Sequence, residues 1–386
     1  MFQLQNKIVY FSFVLLQKIG KMIKKIVLIF ALSFTTSIFS QNLYVTKRDY
    51  SNSSNYVHSL QKLNSFDGAV INNTNFTTSF PSSYSPESLT FNSQTNEIFG
   101  ISENIITKSN VITNSETSFT LPMGTSTNYG GLVIAENRLF VTVRDYSVTP
   151  EINYIQEINQ ANGEIINSHI LISNIQSYNR DLTYLSLTNE ILGLCDSIIY
   201  KFNILNNSQT TLILPILPNV QYDDIIIAEN RLFATTRDYS VTPNIISLRE
   251  LSLVDGSIIN TYNYATNLEN YSYIDSLTFL SNTREICGIT RGYFNNDYYF
   301  KILKYNIANN TDTSIDLQSL TSVDYDEIIS TSTEQNLSIN DFSQNTNYKM
   351  VKVFNILGQE IPIETTNQIL IAKFENGETR KIYNKN

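Results

Sequence analysis

Seven carboxylates recur at one kind of place in this sequence. Glu87, Asp181, Asp223, Asp224, Asp275, Asp326 and Glu327 each stand one or two positions before an apolar run. Carboxylates gathered around one point could coordinate a hard divalent cation such as Ca²⁺ or accept sugar hydroxyls. Glu87, Asp181, Asp224, Asp275 and Glu327 form the candidate metal set. In one copy Gly130-Gly131 takes the place of the acids and opens one side of the belt. A second recurring group supplies cations and rings: Arg48-Asp49-Tyr50, Arg144-Asp145-Tyr146, Arg237-Asp238-Tyr239 and the related Arg291-Gly292-Tyr293. Arg forks grip anionic groups and Tyr rings stack on ligands, so Arg48, Tyr50, Arg144, Tyr146, Arg237, Tyr239, Arg291 and Tyr293 are candidate ligand-binding residues. The same pattern has a structural reading, in which Arg and Asp pair with neighbouring units and Tyr hydroxyls tie loops to backbone. A duplicated sequence repeats its scaffold residues as readily as its binding residues, so the pattern leaves both readings open.

Other chemistry is poorly supplied. His58 and His169 occupy unrelated positions, which argues against a shared catalytic base, and no catalytic residue is assigned. Cys195 and Cys287 fall at different positions of different units and are expected to be buried free thiols. Gly100, Gly193 and Gly288 recur within strands, where glycine marks the close approach of another backbone.

Composition limits the remaining possibilities. The 386 residues, 42% hydrophobic and 16% charged, can bury a large core or two, which excludes a disordered chain. With 35 acidic and 26 basic residues the net charge is −9, which argues against a nucleic-acid binder, because such proteins need a clustered cationic face. Tyr (24) and Phe (21) are abundant among Ile, Val, Thr, Ser and Asn, a balance that favours strands and polar turns. An all-β protein is expected.

The elements that must position the polar motifs are themselves repeated. Ile134-Ala135-Glu136-Asn137-Arg138-Leu139-Phe140 returns as Ile227-Ala228-Glu229-Asn230-Arg231-Leu232-Phe233. A second unit occurs three times, as Ser88-Leu89-Thr90-Phe91, Asp181-Leu182-Thr183-Tyr184 and Ser276-Leu277-Thr278-Phe279. Three double units make six modules. Residues 41–331 divided by six give about 48 residues each, the size of one β-propeller blade. A module reads as four strands, for example Leu182 to Leu187, Glu190 to Leu194, Ile198 to Ile204 and Thr210 to Leu214. The unalternating runs Leu132 to Ile134 and Ile225 to Ile227 suit innermost strands packed on both faces.

Phase argues for a closed ring over an elongated solenoid. A Tyr precedes each innermost strand, at Tyr84, Tyr129, Tyr178, Tyr222, Tyr273 and Tyr325, and the sixth has no partner downstream. The first module begins at Leu43-Tyr44-Val45-Thr46, which matches a second strand and lacks a first. Strand exchange of residues 324–331 into the first blade would complete it and leave no open edge. The expected fold is a six-bladed β-propeller with four-stranded blades over 41–331. In such a ring the acids and the Arg-Asp-Tyr loops share the face around the channel mouth.

The two ends read as addresses. Lys24 and Lys25 followed by the apolar Ile26 to Phe34 form a secretory signal, with Met22 as the expected start and cleavage after Ser40, so residues 1–40 are absent from the mature chain. The apolar run is too short to span a bilayer, and no transmembrane segment is expected in the mature protein. In residues 332–386, Phe354-Asn355-Ile356-Leu357-Gly358-Gln359-Glu360, Ile369 to Phe374 and the basic Arg380, Lys381 and Lys385 resemble the C-terminal type A sorting domain of the Bacteroidetes type IX secretion system, a small β-sandwich. The chain lacks the Pro-Asn-Pro lead-in of that family, and Asn367-Gln368-Ile369-Leu370 replaces its Gly-x-Tyr. The resemblance implies export by Sec and then by the type IX machinery to the outside of the cell or the outer-membrane surface. Three functions fit: a ligand-binding or adhesion module for a carbohydrate or surface protein; a metal-dependent enzyme similar to six-bladed gluconolactonase-like lactonases; or a structural surface component.

Overall fold

A computed structural model of the chain describes residues 41–51, 57–75, 88–171, 182–242, 244–264, 273–294, 297–317 and 322–331, with 350–355, 360–361, 368–374 and 379–384 near the C-terminus. The signal region lies outside the described residues. Among those described there are strands and turns, and no helix is long and apolar enough to cross a membrane. The chain divides into two compact units, Met1–Ser332 and Thr333–Asn386.

The first unit is a six-bladed β-propeller of four-stranded antiparallel blades. The second blade runs outward through β4 (Ser88–Asn92), β5 (Glu97–Ser102), β6 (Ile105–Asn110) and β7 (Glu116–Thr120). The third is β8 (Thr127–Ala135), β9 (Arg138–Asp145), β10 (Ile152–Ile158) and β11 (Ile165–Ile170). The fourth is β12 (Leu182–Leu185), β13 (Glu190–Cys195), β14 (Ile198–Asn203) and β15 (Gln209–Ile213). The fifth is β16 (Val220–Ala228), β17 (Arg231–Asp238), β18 (Ile245–Leu251) and β19 (Ile258–Asn263). The sixth is β20 (Tyr273–Leu280), β21 (Glu285–Phe294), β22 (Asp297–Asn306) and β23 (Thr311–Asp316).

The first blade is completed from both ends of the unit. Its outer strands are β1 (Leu43–Asp49), β2 (Val57–Leu63) and β3 (Val70–Asn75), and its innermost strand is β24 (Val323–Ser330), antiparallel to β1 with Leu43 opposite Ser330 and Asp49 opposite Val323. Each innermost strand touches the next, from β4 through β8, β12, β16 and β20 to β24, and β24 touches β4. Six apolar clusters fill the six interfaces between blades, the one that closes the ring joining Val45 and Ile328 to Cys287, Phe300 and Ile302.

The repeated sequences build this ring by definite means. An innermost strand has one edge facing the ring axis, and its N–H groups there need partners. The Ser-Leu-Thr-Phe unit supplies them from the preceding blade. Leu132 N–H donates to Ser88 Oγ and Ile134 N–H to Thr90 Oγ1, both at 2.9 Å. Ile227 N–H donates to Thr183 Oγ1 at 3.0 Å, Ile328 N–H to Ser276 Oγ at 3.2 Å and Ser330 N–H to Thr278 Oγ1 at 2.8 Å. The Glu-Asn pairs make the tight turns from β8 to β9 and β16 to β17, with positive φ at Glu136, Asn137, Glu229 and Asn230. Left-handed backbone at both central positions is what a type I′ hairpin requires, and Asn tolerates it best after Gly. The Arg that follows grips the next strand: Arg138 Nη2 lies 2.6 Å from Glu157 Oε2 and Arg231 Nη2 2.6 Å from Glu250 Oε2.

Cys195 and Cys287 are buried free thiols, as the sequence suggests. At Gly193 and Gly288 the close approach comes from side chains more than backbone: an added Cβ would lie 2.1 Å from the Tyr200 hydroxyl and 2.6 Å from Ile274 Cγ2.

The second unit contains a four-stranded antiparallel sheet in the order β26-β25-β27-β28, from β25 (Met350–Asn355), β26 (Glu360–Ile361), β27 (Gln368–Phe374) and β28 (Thr379–Asn384). The two ends of the Phe354–Glu360 motif pair across β25 and β26, Phe354 opposite Glu360, and residues 356–359 lie outside the described residues.

Candidate functional site

Of the acids expected in connections, Asp223, Asp224, Asp275, Asp326 and Glu327 lie inside strands. In β16, Tyr222 pairs with Thr236 and Ile225 with Ala234, so that Asp223 and Asp224 together oppose Thr235. In β24, Asp326 and Glu327 oppose Thr46 in the same way, and in β8 Gly130 and Gly131 oppose Thr142. Asp275 is the extra residue between Ile274 and Ser276 in β20. Each of these five acids therefore lies at a β-bulge, where one strand carries an additional residue and bends more sharply. The Thr opposite caps the bulge: Asp224 N–H donates to Thr235 Oγ1 at 3.1 Å and Glu327 N–H to Thr46 Oγ1 at 2.9 Å. Tyr129, Tyr222, Tyr273 and Tyr325 also lie within the strands they were expected to precede, since those strands extend beyond the bulge, while Tyr84 and Tyr178 lie outside the described residues. Tyr222 Oη donates to the Pro215 carbonyl at 3.1 Å, and Tyr129 Oη donates to that of Pro122.

Of the five candidate metal ligands, Glu87 and Asp181 lie outside the described residues, as does the side chain of Asp275. Asp224 and Glu327 are buried in their bulges. Among the described residues no three His, Cys, Asp or Glu side chains come together to hold a metal ion.

The Arg residues form the ends of second strands, beside the bulges. Arg237 pairs in register with Gln221, and its Nη2 reaches Asp223 Oδ1 at 3.0 Å while its guanidinium lies 4.9 Å above the Tyr239 ring. Asp223 is 8% exposed, and its Oδ2 has no hydrogen-bond partner. Burial outweighs the Arg237 pair and pushes its carboxyl up to about 6. Arg48 pairs with Asp324 directly across the sheet. Arg144, whose blade has glycines for acids, turns outward to Glu151, its Nε 2.6 Å from Oε2. Arg291 lies within β21, which runs on to Phe294, so Arg291-Gly292-Tyr293 is strand and not loop; the Tyr293 side chain lies outside the described residues.

Beyond the Arg residues three loops share one construction. Asp49, Asp145 and Asp238 accept the N–H of Ser51, Ser147 and Ser240 at 2.8–3.0 Å, turns that hold these carboxylates below their ordinary range. The N–H groups of Tyr50, Tyr146 and Tyr239 bond to the carbonyls of Ser322, Ser126 and Asn219. Tyr146 Oη donates to Asn128 Oδ1 at 3.1 Å and Tyr239 Oη to Gln221 Oε1 at 2.9 Å. Tyr146 and Tyr239 are each 45% exposed, with Val148 and Val241 exposed beside them. The loops belong to the first, third and fifth blades. The second and fourth blades have two-residue turns at the same place, Glu103-Asn104 and Asp196-Ser197. Across the first five blades the face therefore carries raised loops in alternation with short turns, while in the sixth β21 and β22 stay paired as far as Phe294 and Asp297. That alternation was written in the spacing of the Arg-Asp-Tyr copies, and the Ser and Thr hydroxyl caps, which follow the same alternation, were the part that sequence reasoning missed.

The sequence matches no family model and no curated protein. Solved structures with a similar backbone include the WD40 repeats of RRP9 (12% identity, TM-score 0.43, covering 86% of this chain and 87% of that one). Others are a candidate 6-phosphogluconolactonase from Bacteroides fragilis (9%, 0.45, 74% and 98%) and a candidate TolB from Agrobacterium tumefaciens (10%, 0.44, 74% and 92%). These are likenesses of backbone alone. The count of six blades rests on this chain's own strand pairing.

Proposed function

We propose that the protein is a secreted or cell-surface binding module that takes a carbohydrate or surface-protein ligand on the face formed by the Arg-Asp-Tyr loops. The observation that carries this reading is the pair of equivalent sites at Tyr146–Val148 and Tyr239–Val241. Each presents a half-exposed ring beside an apolar side chain, on backbone already fixed by an Asp–Ser turn. Aromatic faces held in place offer contact area at low entropic cost, which is what a ligand needs from a surface loop. The secretory pattern from Met22 to Ser40 and the resemblance of residues 332–386 to type IX sorting domains support export through Sec and the type IX machinery.

A glycan array probed with the mature chain tests the reading. Saturable binding is expected, and Tyr146→Ala/Tyr239→Ala should abolish it with the melting temperature unchanged. Equal binding by the double variant would place the ligand elsewhere.

A further inference from the structure

A cavity of about 450 Å³ opens where the ring closes, between the β2–β3 hairpin of the first blade and β23–β24. Small-molecule sites span roughly 300–1,000 Å³. Leu63, Val70, Leu317 and the Tyr325 ring form its walls, and Asp67 and Asp316 stand at its mouth. Gln61, 6% exposed, also lines it, and the amide oxygen of Gln61 is buried with no hydrogen-bond partner. A buried acceptor left unsatisfied costs about 1–3 kcal/mol, so the cavity favours a molecule that brings a donor.

The fifth blade shows which donor fits. Register places Gln61 opposite Val45 in the first blade and Arg249 opposite Ala234 in the fifth, so the two residues are equivalent. Arg249 is buried, and its guanidinium lies beside the phenol of Tyr222, the counterpart of Tyr325. The fifth blade thus fills with its own cation a position that the first blade leaves to the shorter Gln61. The mouth of the first blade's cavity is also acidic: Asp67 Oδ1 accepts the Ala69 N–H at 3.0 Å, and Asp316 Oδ1 lies 3.0 Å from Lys301 Nζ. The third blade has Gln156 at the same position, but Asn162 and Thr120 stand where Asp67 and Asp316 do.

We propose that this cavity binds a small organic cation, a guanidinium or primary ammonium head on a short apolar stem, with the Gln61 amide oxygen as its buried acceptor. The site is separate from the Arg-Asp-Tyr loops and does not depend on their function. The probe is N-propylguanidinium, the Arg side chain cut free, titrated into the mature chain and followed by saturation-transfer NMR. Saturable binding is expected, with 1-propanol failing to compete. Gln61→Arg should abolish binding while leaving the chain folded, because Arg249 already occupies the equivalent place. Gln61→Leu and Asp67→Asn/Asp316→Asn should each weaken binding at least tenfold, and they serve as the test if Gln61→Arg does not fold. No saturable binding by the wild type, or binding indifferent to the Gln61 substitutions, would overturn the proposal.

Discussion

Arg237 reaches back across its sheet to Asp223, Nη2 to Oδ1 at 3.0 Å, and so ties the tip of a second strand to the bulge of the innermost one. Both side chains are largely buried, and the carboxylate's other oxygen has no partner. The folded protein thus holds an acid that resists ionisation next to a cation that cannot lose its charge.

The consequence for stability has a definite sign. Burial raises the Asp223 carboxyl from 3.8 to about 6, so its favourable contribution is whole below pH 3.8 and is lost as pH rises through 6. The loss is about 3 kcal/mol, each pKa unit being about 1.4. Asp223→Asn removes the titration and keeps an acceptor for Arg237. Urea unfolding should show the variant gaining about 2–3 kcal/mol on wild type between pH 4 and 7.5. A difference that stays constant with pH would refute the assignment.

His58 behaves in the opposite sense. Burial, with the Arg48 charge beside it, lowers its imidazole from 6.5 to about 4, so its contribution is present above pH 6.5 and is lost as pH falls through 4. Its ring protons should keep their neutral chemical shifts from pH 8 down to about 5. A midpoint near 6.5 would contradict this.

The Thr opposite each bulge is structural. Thr235→Val keeps the shape of a wholly buried side chain but leaves the Asp224 N–H without its acceptor. The expected loss is about 1–3 kcal/mol in chemical denaturation, with an unchanged far-UV spectrum. A variant as stable as wild type would mean that the N–H finds another partner.

Two Arg–Glu pairs of equal reach should differ in worth. Glu250 has a side chain 9% exposed and accepts from both Arg231 and Asn260, whereas Glu229 and Arg284 meet in solvent. Glu250→Ala should cost about 2 kcal/mol, because it leaves Arg231 partly buried without its counter-charge. Glu229→Ala should leave unfolding unchanged. Equal effects would show that burial does not govern these pairs.

Much of this architecture could be read from residue types. Leu43-Tyr44-Val45-Thr46 copies a second strand and Tyr325 to Ile329 copies a first, and those two facts carry the closure of the ring. The site was read less well, for a physical reason. Asp223-Asp224 before an apolar run looks like the end of a loop, and only the register with Thr235 reveals a bulge within a longer strand. Arg291-Gly292-Tyr293 resembles the loop motifs, but the partnership of β21 with β22 continues to Phe294 and makes it strand. The role of Ser88, Thr90, Thr183, Ser276 and Thr278 was hidden because their partners are backbone N–H groups 44 or 52 residues away, which no side-chain pattern announces.

The loops and the cavity at the joint both depend on the closed ring, and the ring depends on β24 lying beside β1. Hydrogen–deuterium exchange of the peptide spanning residues 323–331 measures this directly. Protection equal to that of β16, the innermost strand of the fifth blade, is the result the account predicts. Exchange as fast as an unstructured chain, with β16 protected, would contradict it.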